Sequence, residues 1–280
     1  MIPRDYITEW RAIAPWVEDF QVEQDLVISR ALVEIFSHAE LAAELAFRGG
    51  TALHKLHIKP PARYSEDIDL VQVKAGAIGT TLDALRRTLD GWLGEPQRSQ
   101  GEGRVTLNYR FASEDAPPVR LRLKVEINSR EHFTVFGLKQ VAFDVDSRWF
   151  RGSAKIVTYE LKELLGTKLR ALYQRKKGRD LFDLAVALET TSVDPDGIAE
   201  AFAAYMEHEG KRVTRAQFEQ NLTAKLRDAQ FTADIQPLLA SAYKWDRNKA
   251  AEVVWQRLIA VLPGAPWKGR RERRKKRPSG

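Results

Sequence analysis

Ser65-Glu-Asp-Ile-Asp-Leu-Val-Gln-Val73 (SEDIDLVQV, residues 65–73) is the stretch on which the reading of this chain turns. It alternates acidic and apolar residues and ends in β-formers, so it reads as a strand. Asp67 and Asp69 stand at i and i+2, which on a strand puts both carboxylates on one face, about 6.6 Å apart along the backbone. A proline-rich loop, IKPPARYS, precedes the strand. Before that comes FRGGTALHKL (residues 47–56), where Gly49 and Gly50 interrupt a helical pattern that ALHKLH resumes. The two features therefore fall on a turn at the opening of a helix and on a strand shortly after it.

Outward from this centre, residues 21–44 carry Leu26, Val27, Leu32, Ile35 and Leu41 at helical spacing and predict one long helix or two short ones. Ile78 to Leu93 predicts another, with Leu82, Leu85, Leu89 and Trp92 on one face. The runs RVTLNYRF, VRLRLKVEIN and LKQVAFDV alternate as antiparallel strands do, and turn signals separate them. From Thr158 the periodicity is helical: 158–175, 179–189, 194–209, 214–227 and 246–262. Asp194-Pro195 supplies an N-cap and a first-turn proline, and Thr214 with Gln217 a capping box. The fold class is α+β. A mixed-sheet unit over residues 1–155 is followed by a helical one over 156–267, with a cleft between them as the natural ligand site.

Paired carboxylates on one strand face can reach one or two divalent cations, and hard cations such as Mg²⁺ prefer carboxylate oxygen. Two such metals can bridge the attacking and leaving oxygens when a nucleoside triphosphate is attacked in line. A lone Asp-x-Asp more often marks a solvated strand face. Here Gly-Gly-Thr ends close upstream: Gly49 and Gly50 let the backbone approach a phosphate, a helix N-terminus offers free N–H groups, and Thr51 offers a hydroxyl. A third carboxylate is sought on a neighbouring strand. In VRLRLKVEIN, Glu126 shares a face with Arg120, Arg122, Lys124 and Asn128, either as a metal ligand or as half of a surface ion pair within the strand. Lys168, Arg170, Arg175, Lys176, Lys177 and Arg179 form a dense basic segment able to neutralise a triphosphate, ahead of Asp180 and Asp183 at helical i, i+3. The five histidines show no metal-ligand spacing, and His54 and His57 read as helix-surface residues.

Composition narrows the chemistry further. The 280 residues contain no cysteine, which excludes disulfides, thiolate catalysis and Cys-ligated zinc. No stretch approaches the ~20 apolar residues that span a bilayer, and the N-terminus lacks an apolar signal core, so a cytoplasmic location without membrane contact is expected. The net charge of +7 comes entirely from Lys268–Gly280, where eight basic residues face Glu272 alone; the rest of the chain is formally neutral. Residues 268–280 read as a disordered basic tail that can add phosphate contacts to RNA or DNA or simply solubilise, with Trp267 beside it as a possible stacking partner for a base.

RGGTALHKL, the RYSEDIDL strand and KLRALYQRKKGRDLFDL together resemble the AbiEii/AbiGii (MenT-like) nucleotidyltransferase toxins of bacterial toxin–antitoxin systems, over roughly Phe47 to Leu188. The Gly-Ser usual in that superfamily is Gly-Gly-Thr here, which keeps the hydroxyl. The resemblance implies a nucleotidyltransferase-fold N-terminal domain and transfer of a nucleoside monophosphate from an NTP, with Mg²⁺ or Mn²⁺ as cofactor. It assigns Asp67, Asp69, Lys168 and Asp180 to catalysis and Gly49, Gly50, Thr51, Ser65, Lys168 and Asp183 to the nucleotide. It sets Arg179 beside Asp180; the spacing itself, not the resemblance, makes Asp67, Asp69 and Glu126 the candidate metal ligands. It also implies the 3′ end of tRNA as acceptor, growth arrest as the outcome and a cognate antitoxin as partner. Transfer to a protein hydroxyl would use the same metal chemistry, and a binding module with structural carboxylates is the non-enzymatic alternative.

Overall fold

The computed structural model describes residues 2–269; the basic tail expected over 268–280 lies outside them but for its first two residues. The chain opens with α1 (Arg4–Trp10), α2 (Asp19–Ser37) and α3 (Ala39–Glu44), then β1 (Leu45–Arg48) and a short α4 (Gly49–Ala52) that runs into a π-helical turn at Leu53–His57. Next come β2 (Asp67–Gln72), α5 (Gly79–Leu93), and five strands: β3 (Gln97–Gly101), β4 (Arg104–Ala112), β5 (Arg120–Asn128), β6 (Leu138–Asp146) and β7 (Arg151–Tyr159). The remainder is helical: α6 (Leu161–Gln174), α7 (Gly178–Thr190), α8 (Pro195–His208), α9 (Arg215–Leu226), α10 (Ala229–Ala233) and α11 (Arg247–Arg257).

The strands form one mixed sheet of order β3-β4-β5-β2-β1-β7-β6. β2 lies parallel to β5 and β1 parallel to β7, while the other pairs are antiparallel. Alternation fixes which face is inside. On β5 the odd-numbered Leu121, Leu123, Val125 and Ile127 are buried, and the even-numbered polar residues point the other way. α2 and α5 pack on the buried face, where Tyr109 of β4 donates from its hydroxyl to Asp90 of α5. α2 is buried on almost every side, so its polar residues need partners. Asp25 accepts from the indoles of Trp10 and Trp16, and Ser29 donates to the Asp25 carbonyl.

The helical half builds a second apolar cluster around α7 from Leu165, Leu169, Leu181, Phe182, Phe202 and Phe218. Two buried polar clamps tie it to the sheet. Segment 238–240 returns to the loop before β2, with Tyr64 N–H donating to the Leu238 carbonyl (2.7 Å) and Ala240 N–H to that of Ala62 (3.1 Å). Glu163, fully buried on α6, accepts from Thr134, from the N–H groups of Val135 and Phe136, and from the Tyr205 hydroxyl.

Three strands are absent from the sequence reading. β1 is four residues long, too short for alternation to register. β3 is exposed along its whole length and has no apolar residue to betray it. β7 is half exposed and rich in Gly, Ser and Ala, yet it pairs with β6 over nine residues. It carries the sheet to Tyr159, so the helix expected from Thr158 begins at Leu161 instead. The boundaries of α5, α7, α8 and α9 fall close to those read from periodicity, and both expected caps form: Asp194 accepts from Asp196 and Gly197 N–H, and Thr214 and Gln217 make a capping box.

Candidate active site

β1 and β2 run antiparallel with Arg48 opposite Asp69, and the chain turns at Gly49 immediately beyond β1. Gly49 has φ of +83°, a conformation that favours glycine. A methyl group there would lie 2.1 Å from the Asp69 carboxylate, so the turn and the acid are in contact. At Gly50 a methyl would lie 2.5 Å from the Arg63 guanidinium. The glycine pair is what lets the backbone close down on the strand.

Asp67 and Asp69 point from β2 into one cleft of about 350 Å³, together with Gly49, Gly50, Ser65, Glu126 and Lys168. The lining is mostly polar, with eight cationic side chains against four carboxylates, which suits a polyanion. Burial pushes both catalytic-candidate carboxyls above their ordinary range, and Asp69 is pushed further by its neighbour Asp67. Asp67 Oδ1 is buried and has no hydrogen-bond partner. Two desolvated carboxylates side by side, one with an orphaned oxygen, fit a divalent cation. Among the described residues no three His, Cys, Asp or Glu side chains converge to form a metal cage.

The other expected residues divide. Glu126 is level with Asp69 across the β2–β5 pair, but Lys124 holds its carboxylate at 2.8 Å and Arg104 approaches at 3.6 Å. It forms the ion pair within the strand while lining the same cleft as Asp67 and Asp69. Lys124 also reaches Asp67 at 3.6 Å. Burial alone would lower the Lys124 ammonium, yet Glu126, Asp67 and Asp69 hold it above its usual range. Thr51, expected to donate to a phosphate, is buried and does not line the cleft; its hydroxyl donates to the Asp67 carbonyl (2.5 Å) and meets the Ser65 hydroxyl (2.9 Å). It locks the glycine turn to β2. Ser65 does line the cleft.

Lys168 is buried with its ammonium at the cleft wall, 3.3 Å from Asp180 and 2.8 Å from Asp183. Asp180 and Asp183 are fully buried and lie one layer behind the cleft, joined to its lining through Lys168, Arg175 and Arg63. Arg175 grips Asp180 with two bonds (2.7 and 2.8 Å), and Arg63 grips Asp183 likewise (2.6 and 2.7 Å). Burial works to raise the Asp183 carboxyl, but Arg63, Lys168 and His54 hold it well below the usual carboxylate range. The two acids therefore position Lys168. His54 is buried against Asp183 at 3.0 Å, not on a helix surface, and burial pushes it down to about 4.

Glu131 and the burial of Arg63 escaped the sequence reading. Arg48 and Arg170 share Glu131, a loop residue with no periodic pattern to flag it; burial opposes its ionisation, but the two guanidiniums bring it down to about 2. Arg63 stood inside the RYSEDIDL motif, and its burial could not be read from one sequence. A larger cavity of about 470 Å³ lies on the other side of Thr51 and Arg63, walled by Trp10, Trp16, Pro60 and Phe143. Asp25, its acid on α2, is occupied by Lys55 (2.7 Å) and two indoles.

The family described as nucleotidyl transferase AbiEii toxin, type IV TA system, matches residues 30–273. MenT4, a nucleotidyltransferase toxin from Mycobacterium tuberculosis, superposes with a TM-score of 0.64 at 18% identity, covering 94% of this chain and 91% of that one. JHP933 from Helicobacter pylori gives 0.48 at 16% identity, covering 84% and 89%. No curated protein sequence matches. At 18% identity the likeness to MenT4 speaks for the fold.

Proposed function

This chain belongs to the AbiEii nucleotidyl transferase toxin family, and we propose that it transfers a nucleoside monophosphate from a metal-bound NTP to the 3′ end of tRNA in the cytoplasm. Such a product could not be aminoacylated, and growth would stop. A cognate antitoxin would hold the activity in check. The family accounts for nucleotidyl transfer as a class; the acceptor, the metal and the place of action are this proposal's own content.

The observation that carries it is the contact between the Gly49 turn and Asp69 inside a cation-rich cleft. Asp67 and Asp69 would hold Mg²⁺ or Mn²⁺, which supplies charge neutralisation at the reacting phosphate and leaving pyrophosphate. The chain's own groups do the rest. Gly49 and Gly50 bring backbone close to the phosphates, with Ser65 beside them. Lys168, fixed between Asp180 and Asp183, presents a point charge to the triphosphate. Arg175 and Arg179 flank it at the cleft wall.

The test is to incubate purified protein with each α-labelled NTP in turn, alongside bulk cellular RNA and lysate protein. Label in tRNA-sized RNA at its 3′ end supports the proposal. Label in the protein fraction would replace the acceptor with a protein hydroxyl, and label in neither would overturn transfer altogether.

A further inference from the structure

The face carrying the even-numbered residues of β4 and β5 continues the floor of the cleft, and none of the closely packed helices covers it: α2 and α5 both lie on the odd-numbered face of these two strands. Directly opposed residues share a face. The register Arg110↔Arg122, Ala112↔Arg120, Asn108↔Lys124 and Arg104↔Asn128 therefore puts five cations, Arg104, Arg110, Arg120, Arg122 and Lys124, on this face, with Glu126 as its acid. Gln97 and Ser99 of β3 extend it outward, opposite Asn108 and Thr106.

Three features set this face apart from an ordinary solvated sheet. Arg110 and Arg122 are exposed and stand directly opposite each other, a like-charge pair that costs stability. Among the described residues neither Arg120 nor Arg122 has an ion-pair partner, so their charge is unspent. The face also runs without a break into the catalytic carboxylates. Lys124 is level with Asp67, which places Arg122 and Arg120 about 7 and 13 Å further along the strand.

We infer that this open β3–β5 face is the platform on which the RNA acceptor lies, its phosphates on Arg110, Arg120 and Arg122 and its terminal hydroxyl directed to Asp67 and Asp69. The inference rests on the acceptor being RNA, as proposed above, and adds where it binds and how. No aromatic residue occupies the even positions of β4 or β5, so bases have nothing to stack on. The platform reads backbone charge and is indifferent to sequence, and base selection belongs elsewhere.

The test replaces both opposed arginines, Arg110→Gln with Arg122→Gln, in the full chain. Binding of a fluorescein-labelled single-stranded RNA oligonucleotide is followed by anisotropy at several salt concentrations, without NTP. We expect affinity to fall about tenfold or more and the slope of log affinity against log salt to flatten by about 0.7 for each lost phosphate contact. The KM for NTP should stay within about twofold, and the melting temperature should not drop, because the substitution relieves repulsion. Arg87→Gln, an exposed arginine of α5 on the opposite side of the sheet, is the control and should bind RNA as the unaltered protein does. Unchanged RNA affinity and salt slope in the double variant would overturn the platform while leaving transfer to RNA intact. Failure of the unaltered protein to label any RNA would instead overturn the acceptor on which the platform depends.

Discussion

Asp183 shows how much of this site is held in place by groups that never touch the cleft. It is fully buried and carries Arg63, Lys168 and His54 at once. Replacing it, Asp183→Asn, leaves a buried guanidinium and a buried ammonium short of their counter-charge, a loss of about 3 to 5 kcal/mol. Chemical denaturation should show that loss, and the surviving folded fraction should bind NTP more weakly because Lys168 is no longer fixed. The signs of the pKa shifts also predict acid sensitivity. His54 and His57 are both pushed down to about 4 by burial, so between that value and their ordinary 6.5 the unfolded chain takes up protons that the folded chain refuses. Stability is then complete above about pH 6.5 and declines below it. Asp183 and Glu131, held low in the fold, add a further loss as pH falls below the ordinary carboxylate range. A melting temperature that falls between about pH 7 and pH 5, and falls less in His57→Gln, is the expected result; a flat profile would contradict it. None of this was legible in the sequence. His54 and His57 looked like surface residues because helical spacing says nothing about what packs on each side.

The turn between β1 and β2 is the element on which the site depends. Gly49→Ala meets two penalties, a positive φ and a methyl group 2.1 Å from Asp69. The first costs roughly 1 to 2 kcal/mol, and the second moves the carboxylate or the turn. We expect a fall in kcat/KM larger than the fall in stability, measured by steady-state kinetics beside thermal melts; unaltered kinetics would mean the turn is only a connection. This element was legible early, because glycine pairs and i, i+2 carboxylates are local signals that survive without tertiary context. Thr51 shows the limit of such reading. Its hydroxyl was the right chemistry for a phosphate, but it is spent on the Asp67 carbonyl, which only the return of β2 beside the turn could decide. Strands failed for the same reason: β3 has no apolar face of its own and exists as a strand because β4 offers it hydrogen bonds.

At the scale of the whole molecule, the sheet and the loop before β2 supply the acids, both halves supply cations, Arg48, Arg63, Arg104 and Lys124 from one and Lys168, Arg170, Arg175 and Arg179 from the other, and the cleft lies where they meet. The α+β class and most helices followed from periodicity, since a face that must be buried repeats at a fixed interval. What periodicity could not give was the layering of buried charge. Lys168, Asp180 and Asp183 were picked out together, and only the fold shows that the lysine faces the cleft while the acids stand behind it. The account as a whole stands on Asp67 and Asp69 acting as one metal-dependent unit. The most direct measurement is magnesium-dependent label transfer from α-labelled NTP by Asp67→Asn and Asp69→Asn beside the unaltered protein, with thermal melts showing all three folded. Loss of several kcal/mol of charge stabilisation corresponds to a fall of about a thousandfold or more in each variant, with no drop in melting temperature because a desolvated like charge has been removed. Transfer at an undiminished rate by either folded variant would contradict the account.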